Sequence, residues 1–282
     1  VDRTLIKPVL GLSCLITDKY SGPYAKSFWQ HTGLGASSRQ AAIALSKETS
    51  PSILDGKNAI DIVKGRLTEL YSAPKKYITL HPSGMAALRT AIELVTKLRP
   101  NKPTIQIGFP YVDVLKLPQA IFNGGILLKD TRETFLESQF RKHNPAAIII
   151  ELPSNPMLKC VDVISISKLA KSEGIPIIID DTIGSPINID CTKYADLIFS
   201  SLTKSFAGRG DIMAGSLLIN PNSSWAKKFQ SLLDGALISR LSYADAIELE
   251  KASRDINSRL PKLNEKCLAL KLRLENHPYV KK

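Results

Sequence analysis

An α/β domain built on a mostly parallel central sheet is what this 282-residue sequence predicts. Two observations carry that reading. Across residues 77–220, short Ile-rich apolar runs alternate with segments of helical periodicity, the pattern of strands joined by crossover helices. A content of 44% hydrophobic and 23% charged residues is also enough to bury one large core.

Strands are expected at residues 104–109, 146–152, 175–180, 195–202 and 213–219, several of them apolar throughout, as strands covered on both faces are. Leu88, Ala91, Ile92, Val95 and Leu98 mark the buried face of one helix, which Pro100 closes. A second helix over 163–173 stops at Gly174. Residues 1–50 lack this rhythm, and their Gly- and Ser-rich stretch 33–39 predicts an extended arm reaching a neighbouring subunit. Beyond about residue 237 the pattern is helical and charged, with Pro261 expected to interrupt it. The division is therefore an arm at 1–50, an α/β domain at 51–236, and a linker helix at 237–282 leading towards a second, largely absent domain. Opening on Val and stopping just past a helix that ends at His277-Pro278, the sequence reads as a piece of a longer chain.

Several classes are disfavoured. No apolar run approaches the roughly 20 residues of a membrane span. Cys14, Cys160, Cys191 and Cys267 are far apart and form no CxxC pair, which predicts reduced thiols in the cytoplasm and no metal site. The net charge of +12 raises nucleic acid as a partner, yet much of the excess lies after Lys251 on a helical pattern, and no basic motif interleaved with aromatics appears.

Ligands of open α/β sheets bind beyond the carboxyl ends of strands, so polar residues placed there carry the chemistry. IPIIIDDT ends in Asp180 and Asp181, and ADLIFSSLTKSF ends in Ser201, Thr203 and Lys204. A lysine leaving an apolar strand is expected to lose its proton by desolvation and so to attack an aldehyde, while a nearby Asp carboxylate would keep the pyridine nitrogen of pyridoxal protonated. In HPSGMAALRTAIELV, Ser83 and Gly84 open an amphipathic helix whose free N–H groups suit a phosphate. Tyr111 in GFPYVDVLK would stack on a planar cofactor. Taken singly, each has a plainer account: a surface lysine, a strand-ending Asp, an ordinary serine N-cap, a core tyrosine. Their order and spacing favour the joint reading.

Those motifs resemble the Cys/Met-metabolism pyridoxal-phosphate enzymes, closest to cystathionine γ-synthases. ELPSNPMLKCVDVISISKLAKSEGIPIIIDDTIGSP, ADLIFSSLTKSFAGRGDIMAGSLL and PSGMAAL carry the likeness, which runs from about Phe28 onward, and FWQHTGLGASSR and FPYVDVLKL look most like the longer fungal branch. The resemblance implies the large domain of a fold-type-I, aspartate-aminotransferase-like enzyme. It implies Lys204 as Schiff-base lysine, Asp180 as partner of the pyridinium, Tyr111 as stacking ring and assistant at the lysine, and Asn155 at the cofactor's phenolic oxygen. Ser83, Gly84, Met85, Ser201 and Thr203 would hold the phosphate, joined by Arg39 from a neighbouring subunit in a dimer of dimers. The implied reaction joins an O-acyl-homoserine to cysteine. Family lyases, methionine γ-lyases, homoserine sulfhydrylases and a catalytically silent assembly subunit are the alternatives. Departures are Ser37 for a common Tyr, Val114 for a common Thr and Asp181 for a common Asn, and the arginine that binds the substrate carboxylate in the family's C-terminal domain has no counterpart here.

Overall fold

All five residues of 147–151 are buried, because a strand inside a layered α/β domain sends alternate side chains into two different cores. The computed structural model describes residues 5–275 and 277–280. It opens with β1 (Leu5–Val9), β2 (Leu12–Ile16), α1 (Gly22–Thr32), α2 (Ser38–Ala44) and α3 (Ile53–Tyr71). Next come β3 (Ile78–His81), α4 (Gly84–Leu98), β4 (Thr104–Ile107), α5 (Val112–Ile121), β5 (Gly125–Leu128) and α6 (Glu133–His143). The chain continues through β6 (Ala147–Glu151), α7 (Val163–Ser172), β7 (Ile177–Asp180), α8 (Ser185–Asn188), β8 (Leu197–Ser201) and β9 (Gly215–Ile219). It finishes with α9 (Ala226–Asp234), α10 (Tyr243–Ala252) and α11 (Ile256–Glu275).

From β3 onward the strands form one sheet in the order β3-β9-β8-β7-β6-β4-β5. β9 runs antiparallel to both its neighbours, and the other pairings are parallel. Hence β3, β4, β6, β7 and β8 all end on one edge, and β9 begins there. Ile148, Ile150, Ile177, Ile179 and Ile198 enter the core shared with α3, α7 and α10. Ala147, Ile149, Ile178, Leu197 and Phe199 enter the core shared with α4, α5 and α9. Each fully buried isoleucine stabilises the fold by roughly 1.5–3 kcal/mol, so a register slip that exposed one set would be costly. By the same alternation Glu151 and Asp180 face the α4–α5 side, and Asp181 faces the α3 side.

The predicted strands and helices all form, with trimmed ends; the 104–109 strand stops at Ile107, where Gly108 turns at φ +85°. β3 and β5 complete the sheet. Two expectations are corrected. The arm is not simply extended: Pro23 starts α1, Gly33 ends it at φ +62°, and Ser37 and Gln40 form a capping box that starts α2. Pro261 does not interrupt the last helix, because the N–H it removes lies on an exposed stretch and would have paired with the carbonyl of Asn257, itself an exposed residue. The Lys- and Arg-rich face expected after Lys251 is solvent-exposed from residue 261 to 275. Among the described residues no helix is long and apolar enough to cross a membrane.

Candidate active site

The residues singled out in the sequence gather along the carboxyl edge of the sheet. Register pairs Glu151 with Asp180, Asp180 with Phe199, Ser201 with Gly215, and His81 with Gly215. Ser83, two residues past β3, therefore lies over the start of β9 and beside the end of β8. The packing there is tight: a Cβ on Gly84 would lie 2.9 Å from Ser201 Cβ, and one on Gly215 would lie 2.2 Å from the Ser83 carbonyl oxygen. Small residues are required on all sides of this corner. Ser83 Oγ accepts the Ala86 N–H at 3.0 Å, capping α4.

Asp180 is 5% exposed, and no ion pair among the described residues reaches it. Burial pushes its carboxyl up to about 6, against the opposing pull of its bonds from Thr182. The Thr182 N–H donates to Asp180 Oδ1 at 3.0 Å, and Thr182 Oγ1 accepts the Ser201 N–H at 2.8 Å. Thr182 thus ties the acid to the β8 end. Beside it Asp181, on the other face, is fully buried; Tyr71 Oη donates to its Oδ2 at 2.8 Å, and Oδ1 has no partner.

Lys204 lies in the turn after β8, where its N–H donates to the Ser201 carbonyl at 3.2 Å. Its side chain is exposed, which corrects the expectation of desolvation: the strand before it is apolar, but the turn carries the lysine out of the chain's own packing. The Thr203 hydroxyl is engaged with Ala214, accepting its N–H at 3.1 Å. Tyr111 is the N-cap residue of α5, with 41% of its surface exposed. Burial and the nearby Asp113 raise its phenol above the usual range. Asn155 is exposed in the loop after β6. Met85, the second residue of α4, packs partly against the core. Arg39 is held within its own chain, donating from Nη1 to the Asp211 carbonyl at 3.0 Å and to Asp245 Oδ1 at 3.3 Å.

Two residues went unnoticed in the sequence although both lie in quoted motifs. Glu151, in ELPSNP, reads as a plain strand end; Thr182, in IIIDDT, reads as a bystander to two acids. Neither signals its role without the register that sets it against Asp180. His31 is a third, pairing Nδ1 with Asp113 Oδ1 at 2.9 Å in a buried contact between α1 and α5.

Comparison with known proteins decides the family. The family described as Cys/Met metabolism PLP-dependent enzyme matches residues 56–282. The chain belongs to this family, whose cofactor is pyridoxal phosphate. The chain is 34% identical to a cystathionine gamma-synthase of Neurospora crassa over 72% of its own length and 34% of that relative's. A putative cystathionine gamma-synthase of Saccharomyces cerevisiae is also 34% identical, over 76% of this chain and 36% of the relative. A dechlorinase/desaturase acting on L-2-amino-4-chloropent-4-enoate, from Streptantibioticus cattleyicolor, is 30% identical over 89% of this chain and 53% of its own length. The chain thus spans about a third of the length of the first two relatives. Among solved structures, a cystathionine gamma synthase from Xanthomonas oryzae pv. oryzae superposes with a TM-score of 0.69 at 23% identity, covering 81% of this chain and 58% of that one. That likeness is one of fold, and it extends over little more than half of the solved chain.

The residues at the sheet edge fit the cofactor. A buried carboxylate with no cation partner among the described residues suits a protonated ring nitrogen, and the small residues Ser83, Gly84, Ser201 and Gly215 set the N-terminus of α4, where a phosphate is favoured, against the end of β8.

Proposed function

We propose that this chain is the cofactor-binding part of an enzyme of γ-replacement, in which the thiol of cysteine displaces succinate or acetate from an O-succinyl- or O-acetyl-homoserine to give cystathionine. The observation that supports it is the convergence of Asp180, Ser83, Gly84, Ser201 and Lys204 at one corner of the sheet edge, combined with the 34% identity to cystathionine gamma-synthases. Bound pyridoxal phosphate supplies a ring that stabilises negative charge on substrate carbon atoms.

The chain's own residues have distinct tasks in this reading. Asp180, kept anionic by a cationic partner, holds the ring nitrogen's proton in place. Ser83, Gly84 and Met85 present the N-terminal N–H groups of α4 to the phosphate, and Ser201 and Thr203 add hydroxyls from the facing turn. Lys204 Nζ carries the cofactor and afterwards takes and returns protons at the substrate. Tyr111 covers one ring face, and Asn155 donates to the phenolic oxygen. Arg39 would leave Asp211 and Asp245 to complete the phosphate site of a neighbouring subunit in a cytoplasmic homotetramer. A substrate-carboxylate arginine would come from a further domain of the full-length protein.

The deciding experiment supplies full-length protein with pyridoxal phosphate and, in turn, each acyl-homoserine with cysteine, cystathionine alone, methionine, and acyl-homoserine with sulfide, and identifies the products. Cystathionine from the first mixture is the expected result; thiol, keto acid and ammonia from the second or third would make the protein a lyase. Light scattering on the same sample tests the tetramer, which a single monomer mass would exclude.

A further inference from the structure

We propose that Glu151 is a positioning residue of the cofactor pocket, one carboxylate that fixes both the Tyr111 loop and the Asn155 loop. Glu151 is the last residue of β6 and is 6% exposed. Its Oε2 accepts the Tyr111 N–H at 2.7 Å. The backbone N–H of Asn155, four residues further along the chain, lies near enough to the same carboxylate to favour its anion. Two loops that leave different strands, β4 and β6, therefore meet at a single side chain, the first through the Tyr111 hydrogen bond and the second through the approach of the Asn155 N–H, and each carries a residue read above as contacting the cofactor. A carboxylate is suited to this task because it offers lone pairs on two oxygens to two separate donors, and its hydrogen bonds to N–H groups are stronger than those of a neutral acceptor.

The placement of Glu151 is costly, which is why a local reason for it is needed. The carboxyl lies beside Asp180, its register partner on β7, and on the same face of the sheet. No ion pair among the described residues compensates it. Burial first, and the Asp180 charge second, push it up to about 7, while the two N–H groups pull it down. Without those two donors nothing would favour the anion there. With them, the anion's position sets where the tyrosine ring and the asparagine amide stand relative to Asp180.

This inference rests on the reading of Tyr111 and Asn155 as cofactor contacts, and the test separates the two. Full-length Glu151→Gln, and Glu151→Asp in case the first variant folds poorly, are compared with wild type by amide hydrogen exchange without cofactor and by pyridoxal-phosphate titration. An amide keeps one acceptor oxygen but turns an NH2 towards the other donor, so exchange at Tyr111 or Asn155 should accelerate about 10-fold or more, and cofactor affinity should fall by about 10-fold. In a Tyr111→Ala, Asn155→Ala background the affinity loss from Glu151→Gln should largely vanish, since a positioning residue has nothing left to position. Unchanged exchange at both amides, or an equal loss of affinity in both backgrounds, overturns the proposal. A wild type that binds no cofactor while the variant still exchanges faster would sink the functional reading and the pocket role, leaving the two loop anchors standing.

Discussion

Ser83 Oγ donates to the Gly33 carbonyl at 2.9 Å, so the serine expected at the cofactor's phosphate also clasps the end of α1. Gly33 fits only because it lacks a side chain: a Cβ there would stand 2.0 Å from Ser83 Oγ and 2.8 Å from Met85 Cβ, and the residue sits at φ +62°. The N-terminal segment and the α4 corner are thus one packed unit, held further by the His31–Asp113 pair.

Gly33→Ala should therefore act twice. The methyl would meet the Ser83 hydroxyl and incur the left-handed backbone penalty, for a combined loss of about 2–4 kcal/mol of stability, read from chemical denaturation. Rotation of Ser83 away from the methyl would also uncap α4, so the variant should bind pyridoxal phosphate more weakly. Unaltered stability and affinity would mean that the segment does not seat on Ser83 in solution.

Replacing Lys204 with Ala should abolish the borohydride-fixable absorbance band that full-length protein with pyridoxal phosphate is expected to show. Loss of the covalent link with retained noncovalent affinity is the predicted pattern, because Asp180 and the α4 corner do not depend on the lysine. A band that persists in the variant would place the linkage on another of the chain's lysines.

How far the sequence reaches is clear at particular residues. Strand runs such as 147–151 and 177–180 are legible because their isoleucines have no alternative to burial on both faces, and the serine cap of α4 is legible from Ser83 and the apolar period that follows. The candidate site is legible as a set of strand ends. Partnerships between those ends are not, since only the sheet order puts Glu151 beside Asp180 and Thr182 against Ser201. The exposure of Lys204 was illegible for a related reason: its surroundings depend on surfaces beyond the turn, not on the apolar strand before it.

Asp180→Asn should weaken cofactor binding by about 10- to 100-fold, the scale of losing a buried charge-assisted hydrogen bond. The amide is nearly isosteric and keeps an oxygen for the Thr182 N–H, so the fold should survive. Titration with pyridoxal phosphate checks this, alongside circular dichroism. Equal affinity in the variant would remove Asp180 from the ring nitrogen.

Asp181 gives a prediction about pH that is independent of any ligand. Its carboxyl is fully buried on the α3 face, with Tyr71 Oη donating to Oδ2 and no hydrogen bond to Oδ1, and burial pushes it up to about 7 against the opposing pull of Tyr71 and the nearby Ser200 hydroxyl. A folded-state value above the unfolded one means that the native protein binds the proton more tightly. Below about pH 4 both states are protonated and no penalty exists; it builds as pH rises towards 7 and is complete above that. Ionisation in the native state then costs stability on the order of a few kcal/mol. Asp181→Asn removes the titration and keeps an acceptor for Tyr71. The variant should match wild type near pH 4 and exceed it at pH 8, measured as unfolding free energy in denaturant at both values. Glu151 and Asp180 titrate in the same window in both proteins, so the difference between the two curves reports Asp181 together with its repulsion by Asp180. A difference that is flat with pH would mean that water or a rearranged Tyr71 already compensates the charge.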